Sequence, residues 1–168
     1  MSSRYSNLER PGLNAGALRA ALCMPSGPFA RLEITPRTGS TNTDLVQHAE
    51  RESAGWPDLS VLGTELQTAG RGRLDRYWEA PERSSLFVSV LLRPFNRSGR
   101  PVPTTAYSWF SLLAALALAE SVEERTEIAP QLKWPNDVTV DGRKLAGILA
   151  QFVPGAGAEP PAVVVGVG

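Results

Sequence analysis

The pattern of apolar and polar positions predicts three helices and a series of strands. The clearest helix covers residues 105–122, where Trp109, Leu112, Leu113 and Leu116 recur at i, i+3, i+4 and i+7, a single apolar stripe of the kind a helix buries. A short helix is expected over 13–22, with Leu18 and Leu22 one turn apart. A third follows Gly39-Ser40-Thr41-Asn42, where Leu45, Val46 and Ala49 repeat and Ser40 or Thr41 is a natural N-cap. Strands are expected over 32–35, 60–66, 86–92, 131–134, 138–140, 145–153 and 162–167. The run at 86–92 is almost continuously apolar, as in a buried strand. Asp141-Gly142 is a hairpin signal between two of the strands, and Pro135 interrupts the chain between two others.

Helices and strands in this order predict an α+β fold, a mixed or largely antiparallel sheet flanked by helices. Residues 1–12 are polar and read as a disordered tail. The expected division is a tail with a short helix over 1–30 and one domain over 31–168. A chain of 168 residues is long enough for one real core. The final apolar strand, read as exposed, offers an open edge through which the chain would associate as a homodimer.

Charge narrows the function. The formal net charge is zero, so no global field would hold a nucleic acid or an anionic membrane. Too little sequence precedes Arg31 for a helix-turn-helix DNA-binding domain. Cys23 is the only cysteine, which excludes an intrachain disulfide and suits a reducing compartment. No signal peptide is visible, and the apolar stretch at 112–118 is too short to span a bilayer, so a cytoplasmic protein is expected.

Any anion site must therefore be local. Gly70-Arg71-Gly72-Arg73-Leu74-Asp75-Arg76 follows a strand and gathers three arginines with two glycines. Glycines let backbone N–H groups approach an anion, and Arg binds phosphate through two parallel hydrogen bonds. The motif is neither a P-loop nor a dinucleotide fingerprint, and a plain solvated basic loop would look the same. The basic residues are fifteen arginines and only two lysines, Lys133 and Lys144. Both lie in one short stretch, in Lys133-Trp134-Pro135-Asn136-Asp137 and Arg143-Lys144-Leu145-Ala146-Gly147. A compact ammonium on a flexible stem is not equivalent to a guanidinium, so lysines kept in an arginine-rich chain point to a specific need. Asn136 and Asp137 offer oxygens for a hydrated Mg²⁺ beside a phosphate, or simply an Asx turn. Gly147 inside a strand suggests close approach of a ligand or another backbone. His48 has no obvious Ser or Cys partner and reads as structural.

Together, Gly39-Ser40-Thr41-Asn42, the Gln67-Thr68-Ala69-Gly70-Arg71-Gly72-Arg73 loop, Lys133-Trp134-Pro135-Asn136-Asp137 and Lys144-Leu145-Ala146-Gly147-Ile148-Leu149, in this order, resemble the catalytic domain of biotin–protein ligases. The resemblance covers about residues 32–168 and the monofunctional type. It implies a fold like that of class II aminoacyl-tRNA synthetases, with biotin, ATP and Mg²⁺ as ligands. The implied reaction forms biotinyl-5′-AMP and passes biotin to a lysine of a biotin carboxyl carrier protein. Ser40, Thr41, Asn42 and Gln67 would bind the biotin ring. Gly70, Arg71, Gly72 and Arg73 would wrap its acyl end, and Gly147 would line the site. Lys144 and Arg71 would be catalytic. Arg73, Arg76, Trp78, Lys133 and Asn136 would face the nucleotide, and Asn136 and Asp137 the metal.

Two features depart from the family's pattern. Asp75 stands where the loop usually has glycine, which adds a negative charge near the phosphates. The family's last strand continues into Leu-Asn, more of the domain and a small β-barrel, whereas this sequence ends at Gly168. A domain incomplete on its adenosine side is therefore expected. The alternatives are an impaired fragment that binds only biotin or a partner, and a lipoate or octanoyl acyltransferase, which would need a nucleophilic Cys near the lysine.

Overall fold

The computed structural model describes residues 10–155 and 159–168, with Asp75 described by its backbone alone. The expected tail over 1–12 therefore lies mostly outside the described residues, as does the charge of Asp75. Three helices, α1 (Ala15–Leu22), α2 (Thr41–Arg51) and α3 (Trp109–Arg125), flank a sheet of seven strands. The strands are β1 (Arg31–Thr35), β2 (Ser60–Thr64), β3 (Phe87–Leu92), β4 (Gln131–Lys133), β5 (Asp137–Val140), β6 (Arg143–Val153) and β7 (Ala162–Val167). Their spatial order is β1-β2-β3-β7-β6-β5-β4. Only β1 and β2 pair in parallel, joined through α2; every other pairing is antiparallel, so the sheet is mixed.

The last strand is not an edge. β7 pairs with β3 on one side and β6 on the other, and Ala162 through Val165 are buried. An almost uninterrupted apolar run is what a central strand covered on both faces requires. This overturns the reading of 162–167 as an open edge for self-association. The edges of the sheet are β1 and β4.

Helix α2 covers one face through Leu45 and Ala49, packed with Trp56, Leu62, Leu91 and Val164. Here His48 is structural in geometry, its ring stacked on Trp56 at 4.4 Å between centroids. Helix α3 covers the other face, but not with the expected stripe. Ala115 and Ala119 are buried against Val138, Ile148 and Val163, whereas Trp109, Leu113 and Leu116 are exposed. Small side chains bring the helix close to the sheet, and that close packing wins over the larger apolar area of the leucine stripe. Burial in this layer pushes the Tyr107 phenol above the ordinary tyrosine range, with its hydroxyl donating to the Pro161 carbonyl at 2.9 Å.

Candidate active site

The N-terminus of α2 and the entry to the glycine/arginine loop meet beyond the ends of β1 and β2. Thr38 and Gln67 form a parallel bridge there, with Ala69 N–H donating to the Gly39 carbonyl at 2.9 Å. Ser40 caps α2 by accepting from Thr43 N–H at 3.5 Å. The next two residues turn inward. Thr41 N–H donates to Gln67 Oε1 at 2.9 Å, and Asn42 Nδ2 donates to the Leu149 carbonyl in β6 at 3.0 Å. Ser40, Thr41 and Asn42 are all buried, although they open the helix.

The loop itself is a narrow hairpin. Arg71 and Tyr77 form an antiparallel bridge, Gly72 N–H donates to the Arg76 carbonyl at 2.7 Å, and Trp78 N–H donates to the Gly70 carbonyl at 2.9 Å. A Cβ at Gly70 would stand 2.2 Å from the Trp78 carbonyl oxygen, so only glycine fits at the base of the hairpin. Arg71, Arg73 and Arg76 stand on exposed positions. Arg73 reaches across to Asn136, donating to Oδ1 at 3.4 Å.

The opposite wall comes from the β4–β5–β6 hairpins. Asp141 and Gly142 adopt φ of 49° and 73°, the two left-handed positions that a tight hairpin turn needs. Beyond the turn the register of β5 with β6 shifts: Thr139 faces Lys144, but Val138 faces Ala146. The extra residue, Leu145, forms a bulge. Because a one-residue slip exchanges the faces of a strand, the bulge brings Lys144 onto the same face as Asp137 and Gly147, which are themselves paired. Lys144 Nζ then lies 2.7 Å from Asp137 Oδ1 and 4.6 Å from the centre of the Trp78 ring. The close approach inferred at Gly147 is made by Lys144 itself, whose Nζ would stand 2.9 Å from a Cβ there.

These walls enclose a cavity of about 490 Å³, within the usual range for a small-molecule site. Every residue expected to act lines it, Ser40, Thr41, Asn42, Gln67, Arg71, Gly72, Arg73, Arg76, Trp78, Lys133, Asn136, Asp137, Lys144 and Gly147, with the single exception of Gly70. Cys23 is not among the lining residues. The structure gives Asn136 and Asp137 other partners than a metal. Asn136 Nδ2 donates to the Ile148 carbonyl at 2.7 Å, its Oδ1 faces Arg73, and the Asp137 carboxylate holds Lys144. One carboxylate shared with an ammonium, beside a guanidinium, does not fit a protein-built Mg²⁺ cage.

Ser89 escaped the sequence reading. It is fully buried in β3, with Oγ 2.8 Å from Thr41 Oγ1 and 2.5 Å from Asn42 Oδ1. The signal was a single polar residue in the apolar run Leu86-Phe87-Val88-Ser89-Val90-Leu91-Leu92.

Residues 34–168 match the biotin/lipoate A/B protein ligase family. The chain belongs to that family. Among its members, the biotin–[acetyl-CoA-carboxylase] ligase of Mycobacterium tuberculosis is 41% identical over 162 residues, covering 95% of this chain and 56% of that protein. The enzyme of the same name from Paracoccus denitrificans is 38% identical, covering 79% of this chain and 51% of the relative. The solved biotin protein ligase of Aquifex aeolicus, in complex with biotin and ATP, superposes with a TM-score of 0.63 at 30% identity, covering 83% of this chain and 51% of that one. The fold is thus that of a biotin protein ligase catalytic domain, and the chain spans about half the length of these family members.

Proposed function

We propose that this ligase-family chain activates biotin with ATP and transfers it to a lysine of a biotin carboxyl carrier protein. The observation that carries the reading is the sharing of one cavity by two unlike ends. An amide–hydroxyl cluster, with Thr41 and Asn42 buried and Gln67 half-buried, lies at one end, and Lys144 with the loop arginines at the other. A ligand with a polar ring and a carboxylate tail fits both. The names of the M. tuberculosis and P. denitrificans relatives support the same activity.

In the first step a biotin carboxylate oxygen bonds to the α-phosphorus of ATP, the α–β phosphoanhydride bond breaks, and pyrophosphate leaves. Two anions must meet, so the site supplies positive charge and orientation rather than proton transfer. Lys144 bridges the carboxylate and the α-phosphate. Arg71 and Arg73 enclose the acyl-phosphate, and Lys133, Arg76, Asn136 and Trp78 face the nucleotide. Asn136 and Asp137 form no cage for Mg²⁺; bound with ATP, the ion would supply further positive charge at the phosphates. In the second step the neutral amine of the carrier lysine attacks the acyl carbon, the bond to AMP breaks, and an amide forms with loss of one proton.

The decisive measurement is biotin-dependent exchange of labelled pyrophosphate into ATP. Exchange that requires biotin is the expected result. Biotin binding by calorimetry without exchange would reduce the chain to a binding domain, and exchange with lipoate or octanoate alone would move it to the other branch of the family. No helix among the described residues is long and apolar enough to cross a membrane, and with one cysteine the reading places the reaction in the cytoplasm.

A further inference from the structure

We propose that Ser89 is a specificity-determining positioning residue: from outside the cavity, its hydroxyl fixes which groups of the site donate and which accept. The argument follows hydrogens along a buried chain. Asn42 donates through Nδ2 to the Leu149 carbonyl, so its Oδ1 is turned towards Ser89 and acts only as an acceptor. The Ser89–Asn42 contact is 2.5 Å, too short for two oxygens without a hydrogen between them, so the Ser89 hydrogen lies there. A serine has one hydrogen. Its 2.8 Å contact with Thr41 Oγ1 must therefore be filled from the other side, with Thr41 donating to Ser89 Oγ rather than to Gln67 Oε1, which lies farther from the Thr41 hydroxyl at 3.2 Å.

The consequence reaches the ligand. With its hydrogen held by Ser89, Thr41 Oγ1 presents lone pairs to the cavity and is read as an acceptor. Gln67 is fixed in the opposite sense. Its Oε1 takes the Thr41 backbone N–H at 2.9 Å, which no flipped amide could do, so Nε2 faces away as a donor. Among the described residues no acceptor bonds to that nitrogen. The site therefore asks for a ring with an N–H donor facing Thr41 and an acceptor facing Gln67. A cyclic urea satisfies both. A ring of the same shape whose N–H is replaced by oxygen would set two lone pairs against each other. Gly166 closes the arrangement, because a Cβ there would stand 2.0 Å from Asn42 Oδ1.

The inference depends on the proposed function only for its probes. Biotin and its two ring-carbamate isomers, each with one ureido N–H exchanged for oxygen, would be titrated calorimetrically against wild type, Ser89→Ala and Ser89→Thr. Wild type should prefer biotin over one isomer by about 10- to 100-fold, the effect of one unsatisfied buried group. Ser89→Ala frees the Thr41 hydroxyl to rotate, so the preference should fall to within about threefold, as in the loss of a single weak bond. Ser89→Thr keeps a hydroxyl and should restore it. A Ser89→Ala protein, folded by circular dichroism, that keeps the wild-type preference overturns the proposal. If Ser89→Ala does not fold, Thr41→Val replaces it: loss of the preference supports the acceptor role, and retention overturns it. A second measurement needs no ligand. The Thr41 hydroxyl proton, located by nuclear Overhauser contacts, should lie towards Ser89; a position towards Gln67 overturns the proposal. Should wild type bind no biotin, the ligase reading fails, and the proton position still decides the role of Ser89.

Discussion

The two ends of the cavity are built on opposite principles. At the Thr41–Gln67 end the candidate side chains are neutral, with Thr41 and Asn42 buried and Gln67 half-buried, and hydrogen bonds tie them to α2, β3 and β6. At the other end they are charged and stand on the hairpin over 71–77 and the exposed strand β4. Neutral groups discriminate only when they are dry and fixed, since a mobile or wet hydroxyl would satisfy any ligand. Charges act over a longer range and tolerate motion, so they can stay solvated until the ligand draws them in. Lys144 sits at the junction. It is half-exposed, yet it is held by Asp137 and the Trp78 ring in a position set by the Leu145 bulge. In the proposed function one end selects the ligand, the other collects its charge, and Lys144 joins them.

The sharpest way to break this contrast is to remove the junction. Lys144→Ala should lower the rate of pyrophosphate exchange about 100- to 1,000-fold, the usual effect of deleting one fixed cationic or oxyanion contact in a transition state. Biotin affinity by calorimetry should move far less, because the ring is held elsewhere. Lys144→Arg should also be slow, since a planar fork does not fit the slot between Gly147 and Trp78. A variant with wild-type rate but weakened, salt-sensitive biotin binding would make Lys144 just another charge of the open end.

Next in size is a steric test of the rigid end. Gly166→Ala drives a methyl group into Asn42 Oδ1, where a Cβ has 2.0 Å, and the atoms it meets are part of a buried network that cannot move alone. Overpacking of this kind costs about 1–3 kcal/mol. A lowered midpoint in urea together with lost biotin affinity is expected. Unchanged stability with unchanged binding would mean that the ring end is as adaptable as the arginine end.

The same contrast explains what could be read from the sequence. The element order, the α2 cap at Ser40 and the loop residues were all legible, because caps, hairpin turns and periodicity are local. So was the gathering of these motifs into one cavity, through resemblance to the family. Three things were not. The side of β6 that carries Lys144 depends on a bulge, and an inserted residue in one strand shows only against its partner. The buried face of α3 was decided by how closely alanines approach the sheet, not by which residues are most apolar. Ser89 is a lone polar residue in an apolar strand, and it acquires meaning only when α2 and β3 stand side by side.

The smallest expected effect tests the open end on its own terms. Arg73 stands on an exposed position, and its hydrogen bond to Asn136 is long at 3.4 Å. Surface substitutions of this type change stability by about 0.5 kcal/mol or less, so Arg73→Ala should melt with wild type. Its effect should appear only against an anion. ATP affinity should weaken a few-fold, and its fall with added salt should become shallower, because one screened charge has been removed from the encounter. Biotin affinity should hold, since neither Thr41 nor Gln67 depends on Arg73 for its hydrogen bonds. If Arg73→Ala instead destabilised the fold or relaxed discrimination at the ring end, the Arg73–Asn136 contact would be a structural clasp coupling the two ends. The cavity would then be a single rigid unit rather than a fixed selector joined to a mobile charge collector.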